Sequence, residues 1–162
     1  MYTLKAFLAR YETLKGALEI FPTATLIQLP QGIGMIPADG FFLRELELYY
    51  QGGTKVTHPE YQKFSPSVHP DFERLIVGVE KLALHLSQHR IVVYVEATFT
   101  GGYGGHITMI WENGRCAGKP GDNINEVLRH LKVVPQAGLD EFDTLGLGRH
   151  RSTREWIPGG KS

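Results

Sequence analysis

Two rhythms of apolar residues run along this 162-residue chain. Over residues 2–19, Leu4, Phe7, Leu8, Tyr11, Leu14 and Leu18 follow the three-and-four spacing of one helix face, with Lys5, Arg10, Glu12 and Lys15 largely opposite. This spacing predicts an N-terminal helix. Phe21-Pro22 closes it, because a residue before proline avoids helical angles. Residues 24–37 predict two short strands, Thr25 to Leu29 and Ile33 to Ile36, about a Pro30-Gln31-Gly32 turn. Asp39 is placed to cap a helix over 40–50. Phe42, Leu46, Leu48 and Tyr50 would also suit a strand there, and the helix is preferred. Residues 51–70, rich in proline and glycine, predict a long loop. Pro70 and Asp71 then open a helix whose buried stripe is Phe72, Leu75, Ile76, Val79, Leu82, Ala83 and Leu86.

The other rhythm is alternation. Arg90 to Phe99 is a strand with Ile91, Val93, Val95, Ala97 and Phe99 on one side. Its start is apolar on both sides, which marks a central strand. A glycine-rich turn leads to a second strand, His106 to Trp111. Asn113-Gly114 then turns the chain into a short strand at 115–117. Asp122 is expected to cap a helix carrying Ile124, Val127, Leu128 and Leu131. Strands and helices do not alternate as in a parallel sheet. The fold class expected is therefore α+β: one domain over 1–157 and a flexible tail at 158–162. The antiparallel sheet is centred on the hairpin 90–111, with helices mainly on one face.

Charge changes the picture by what it excludes. Lys and Arg number 17, and so do Asp and Glu, with no third of the chain strongly basic. That argues against nucleic-acid binding through phosphates and against a polybasic membrane anchor. Cys116 is the single cysteine, so no internal disulfide forms. No apolar run reaches the length of a membrane span, and the charged N-terminal region has no signal-type core. The expected location is the cytoplasm.

Candidate chemistry is sparse. Gly101-Gly102-Tyr103-Gly104-Gly105 allows close backbone approach, yet it has the spacing of neither a phosphate loop nor a dinucleotide fingerprint. A bulged hairpin turn is its ordinary role. Residues 140–156 sort charge by sign: Asp140, Glu141 and Asp143, two glycines, then Arg149, His150, Arg151 and Arg154. Arginine forks hold carboxylates and phosphates, so this cluster could wall an anion site with Tyr103, His106 and Glu96. The alternative is a latch, its arginines paired with Asp140, Glu141, Asp143 or Glu96. Ser152-x-x-Glu155 matches a capping box. Glu96, polar in an apolar strand, would suit a general acid or base, although a solvent-facing position beside Thr98 is the usual explanation. His85 and His89 stand at i and i+4 without an evident third ligand, so no metal and no cofactor are expected. Cys116 lacks an evident base.

The pairing of YVEATFTGGYGGHITMIW with the tail FDTLGLGRHRSTREW resembles a family of uncharacterised bacterial proteins. These share a YVEAxxxGGxG strand and loop and an FDxLGLGRHRxTxxW tail. The resemblance covers roughly residues 70–157 and implies no catalytic residue. With no nucleophile, metal or cofactor motif, the expectation is a non-catalytic, immunity- or antitoxin-like module with a protein partner. The competing expectation is a small-molecule protein or enzyme that binds an anionic ligand.

Overall fold

The computed structural model describes residues 1–56, 74–101, 103–118 and 121–159, with residue 103 described in its backbone alone. Six strands are present among them: β1 (Tyr2–Arg10), β2 (Ile27–Gln28), β3 (Ile33–Pro37), β4 (Ile91–Thr100), β5 (Tyr103–Glu112) and β6 (Arg115–Cys116). They form one sheet in the order β2-β3-β1-β4-β5-β6, and every ladder is antiparallel. The architecture is α+β, as the apolar pattern predicts.

The largest correction falls at the N-terminus. Residues 2–10 are a strand, not a helix; only α1 (Tyr11–Lys15) and α2 (Ala17–Ile20) are helical. The reason is burial on both sides. Leu4, Ala6 and Leu8 enter one core and Phe7 and Ala9 the other. A strand apolar on both faces loses its alternation, and its hydrophobic positions then imitate helical spacing. β1 lies between β3 and β4 and pairs with β4 from Tyr2↔Phe99 to Ala9↔Val92.

The expected hairpin is present and slightly longer than its prediction. Its register runs unbroken from Ile91↔Glu112 to Thr100↔Tyr103. The Gly-rich stretch is therefore mostly strand. Gly104 has φ +136°, and a methyl group there would overlap the Thr98 carbonyl oxygen. Steric need accounts for this glycine. Asn113 and Gly114, both at positive φ (55° and 74°), make the expected tight turn into β6.

Cores lie on both sides of the sheet. On one, Phe7, Tyr94, Met109 and Trp111 pack beneath α1, α3 (Gly40–Tyr50) and α4 (Val77–Leu86), which supply Leu14, Leu43, Leu46, Val79 and Leu82. On the other, Leu4, Leu8, Val93 and Val95 pack beneath α5 (Ile124–His130) and the C-terminal segment, including Leu145, Leu147 and Trp156. The two longest helices share the first side, and the second is closed by α5, the four-residue α6 (Glu141–Thr144) and irregular chain. α3 begins as expected, with the Asp39 carboxylate accepting from Phe42 N at 3.0 Å. α3 and α4 approach closely because Gly78 has no Cβ; one built there would lie 2.7 Å from the Leu46 carbonyl oxygen.

Two helix starts differ from expectation. α4 begins at Val77, since Ile76 is extended and bridges Lys55. The Pro70–Asp71 start and Phe72 lie outside the described residues, as does most of the 51–70 loop. α5 is capped by Asn123, whose side chain accepts from Asn125 N, and not by Asp122. Gly104→Ala is expected to lower the unfolding free energy by about 3 kcal/mol or more, through a positive φ and a backbone clash. Urea unfolding of the variant checks this, and an unchanged midpoint would contradict it.

Candidate functional site

The tail is placed by an unfinished edge. β3 pairs with β1 only from Ala6 to Arg10, so the N–H groups of Thr3 and Lys5 on that edge have no strand beside them. Buried backbone donors left unpaired cost about 1–3 kcal/mol each. The C-terminal segment supplies the partners. Thr3 N donates to the Arg151 carbonyl at 2.9 Å, and Lys5 N donates to Thr153 Oγ1 at 3.0 Å. Thr153 Oγ1 lies 3.4 Å from the Thr3 carbonyl, to which it donates. At the start of β1, Tyr2 OH donates to the Leu147 carbonyl at 2.9 Å. A 3-10 turn, Thr153–Trp156, then buries Trp156 in the second core.

The tail's cations do not pair with the expected carboxylates among the described residues. Arg149 lies 5.0 Å above the Trp156 ring, and His150 meets the same ring edge-on at 4.6 Å. Arg154 lies 5.2 Å from the Phe41 ring of α3. Arg151 is exposed, and its backbone N–H donates to Glu155 Oε2 at 3.0 Å. Aromatic faces attract guanidinium groups without forming hydrogen bonds to them, so their N–H forks stay available. The acidic block has other work. Asp140 caps α6 through Asp143 N and accepts from Asn125 Nδ2, while Glu141 pairs with Arg129 at 3.1 Å.

The expected capping box does not form, since Ser152 makes no side-chain cap bond. Glu155 N donates to the Ser152 carbonyl at 3.2 Å, but the Glu155 side chain takes Arg151 N instead of Ser152 N. Ser152 Oγ is buried and has no hydrogen-bond partner among the described residues.

Glu96 is not on a solvent face. It is 6% exposed, because helices cover its side of the central strand; Thr98, two residues on, is the first exposed position. Glu96 Oε2 accepts from Tyr94 OH and from Arg74 N, each at 2.8 Å. Lys5 stands directly opposite in the β1–β4 register. A buried carboxylate stripped of such partners would cost several kcal/mol, so these contacts are what permit its position.

His106 is on the other face of the sheet, with Phe99 edge-on at 5.0 Å and Phe142 stacked at 6.4 Å. Its Nδ1 accepts from Ile124 N at 3.2 Å, so a strand histidine helps cap α5. Burial pushes its pKa below the ordinary imidazole value; Asp140 and Asp122 partly oppose this. The Tyr103 side chain lies outside the described part of the chain. Glu96 and His106 therefore occupy opposite faces, and Arg149 and His150 gather about Trp156.

The fold assembles two concavities that spacing did not reveal. One, of about 240 Å³, lies between the N-terminal half of β1, the start of α3 and the tail, where Lys5, Asp39, Arg74, Ser152 and Arg154 meet. The other, of about 310 Å³, is bordered by Arg10, His89, Arg90, His130 and Lys132 with Glu112. Of its bases, His89 and Arg90 follow the C-terminus of α4 and His130 and Lys132 lie at that of α5, where cations complement the helix carbonyls, while Arg10 ends β1. His85 and His89 do not share a helix face, since α4 ends at Leu86 and His89 has φ +59°. The Cys116 thiol donates to the Gly118 carbonyl at 3.1 Å.

Comparison with protein-family models, curated proteins and solved structures finds no match to the chain. Among the described residues no helix is long and apolar enough to cross a membrane.

The His106 geometry has a pH consequence. Nδ1 must be unprotonated to accept from Ile124, and the folded pKa lies below the unfolded one. The unfolded chain thus takes up this proton first. The stabilisation is complete above about pH 6.5, the ordinary imidazole value, and drains as pH falls through the lower folded value. The stability difference between the native chain and His106→Gln should therefore shrink as pH falls from 7.5 to 5. Chemical denaturation across that range checks it, and a constant difference would contradict it.

Proposed function

We propose that this chain is a non-catalytic protein-interaction module of the immunity or antitoxin kind, working in the bacterial cytoplasm. The observation that carries the reading is the outer face of α3. Phe41, Leu48 and Tyr49 are 69%, 63% and 59% exposed. Positions seven and eight apart lie along one side of a helix, so these three make a stripe. Arg44, Glu45 and Glu47 border it. Single exposed apolar residues are ordinary on a surface, but large ones gathered on one face, two of them aromatic and rimmed by charge, are the composition of a recognition patch.

The stripe is also firmly supported. Tyr49 packs edge-on against Phe21 at 5.2 Å and Tyr50 at 4.8 Å, and α3 is anchored below by Phe42, Leu43 and Leu46. Rigid aromatic anchors lose little entropy on binding. One further observation favours an interaction module over an enzyme, and another fits the cytoplasm. The chemistry-bearing side chains have structural employment: His106 caps α5, Glu96 is bonded within the sheet, and Arg149 lies on Trp156. The lone Cys116 suits a reducing compartment.

The test is positional. A photo-crosslinking residue placed at 48 should yield one discrete adduct in the native host, and the same residue at Lys132, exposed beyond α5, should yield none. Phe41→Glu should weaken the captured complex roughly thirtyfold, the loss of a hot-spot contact of about 2 kcal/mol. Equal adducts from both positions, or none from position 48, would overturn the reading.

A further inference from the structure

We infer that the cleft at the end of the sheet, where β1 and β5 finish and β4 begins, is a binding site for a small phosphate monoester. This is independent of the α3 stripe, since no residue of α3 borders the cleft. Its volume is about 310 Å³. Small-molecule pockets run from about 300 to 1,000 Å³, so the occupant is small. Thr13 of α1 borders it on one side of the sheet and the end of α5 on the other. Leu131, buried, and Ile91, half-buried, supply apolar surface.

Positive charge exceeds negative charge around the cleft. Arg10, Arg90 and Lys132 stand against the single carboxylate of Glu112, in a chain whose formal charges cancel. A phosphate monoester, carrying about −1.5 to −2 at pH 7, matches that excess better than a carboxylate does. Arg90 Nη1 is placed by its bond to Thr13 Oγ1 at 3.4 Å, and both residues line the cleft. Thr13 is neutral, so the guanidinium keeps its charge, and its other N–H groups have no partner among the described residues. Arg10 Nη1 turns instead to the Gln31 carbonyl at 2.7 Å, so Arg10 contributes field and not contact. His130 Nε2 lies 3.7 Å from Glu112 Oε2. These two side chains are 46% and 40% exposed, which leaves both open to a ligand. Glu112 then accepts from a hydroxyl on the carbon body of the ester.

The basic side chains are not spent on the helix ends beside them. Ser87 N takes the Ala83 carbonyl and Gln88 Nε2 the Leu84 carbonyl at the end of α4. At the end of α5, the N–H groups of Leu131, Lys132 and Val133 take the carbonyls of Val127, Arg129 and Leu128. Glu12, on α1, pairs with Lys15 at 3.4 Å. The walls are also tied to one another. The Gln31 amide bonds both backbone groups of Val134, at 2.7 and 2.9 Å, while its carbonyl holds Arg10, so the end of β1 is joined to the chain after α5. Asn113 N donates to the Arg90 carbonyl at 3.3 Å, joining the other two walls. A site braced in this way loses little freedom on binding.

The protein is titrated with glycerol 3-phosphate and, separately, with propionate, at ionic strength held constant with sodium chloride, and backbone amide resonances are followed. Glycerol 3-phosphate should give saturable shifts confined to residues 89–91, 112–113 and 130–132, and propionate should bind at least tenfold more weakly. Arg90→Gln should weaken glycerol 3-phosphate binding roughly tenfold, as loss of a charge-assisted hydrogen bond does. Lys132 is exposed and its side chain makes no bond among the described residues, so Lys132→Gln tests the same charge without touching the fold. It should weaken binding roughly fivefold at an unchanged melting temperature. Arg151→Gln, which removes an exposed charge in the tail, should leave the affinity unchanged. Shifts that never saturate or that spread over the molecule would overturn the site. So would propionate binding as tightly as the ester, or equal weakening by Arg151→Gln and Lys132→Gln.

Discussion

The structure depends on satisfying the backbone of β1. This strand lies inside the sheet, apolar on both faces, and no water is available to repay an unpaired N–H or carbonyl. β4 covers one edge over nearly its whole length, whereas β3 covers only the later half of the other. The exposed half is completed by chain from the far end of the sequence, through Arg151 and Thr153. The first and last segments of the described protein are thereby held together. Trp156 arrives with them and fills the second core.

The same constraint organises the polar groups. Along its first-core face the sheet is apolar at Phe7, Tyr94 and Met109 and becomes polar at Lys5 and Glu96, where the α3 start and the tail converge. Glu96 tolerates burial because partners come from its own strand, from across the sheet register and from the Arg74 backbone. The charge-sorted tail is likewise divided by function. Its acids cap α6 and pair with Arg129, while Arg149, His150 and Arg154 lie against aromatic rings and Arg151 is exposed. Sorting by sign follows from those two tasks and needs no attraction between the blocks.

How much of this is legible in the sequence varies with the kind of signal. The β4–β5 hairpin, the Asn113-Gly114 turn and the Asp39 cap were readable because each rests on a local rule: alternation, positive φ, or a side chain reaching three residues ahead. β1 was not readable as a strand, since burial on both faces erases alternation. The buried state of Glu96 was hidden for a related reason, because its depth is set by helices distant in sequence. Asn123 displaced Asp122 as the cap by one residue, a difference finer than a local rule resolves. Both pockets were illegible altogether. In the first, Lys5, Asp39, Arg74 and Ser152 meet through strand register and helix placement, and no spacing in the chain records that meeting. The tail's importance did show, but its partners did not: a guanidinium gives no sign in sequence of choosing an aromatic ring over a carboxylate.

Amide hydrogen exchange at Thr3 and Lys5 tests the completed edge most directly. In the native chain both amides should be protected like their strand neighbours. In Thr153→Val, Lys5 should exchange roughly fivefold faster or more, the effect of losing about 1 kcal/mol of hydrogen bonding, while Thr3, bonded to the Arg151 carbonyl, stays protected. Free exchange of both amides in the native chain would contradict the account.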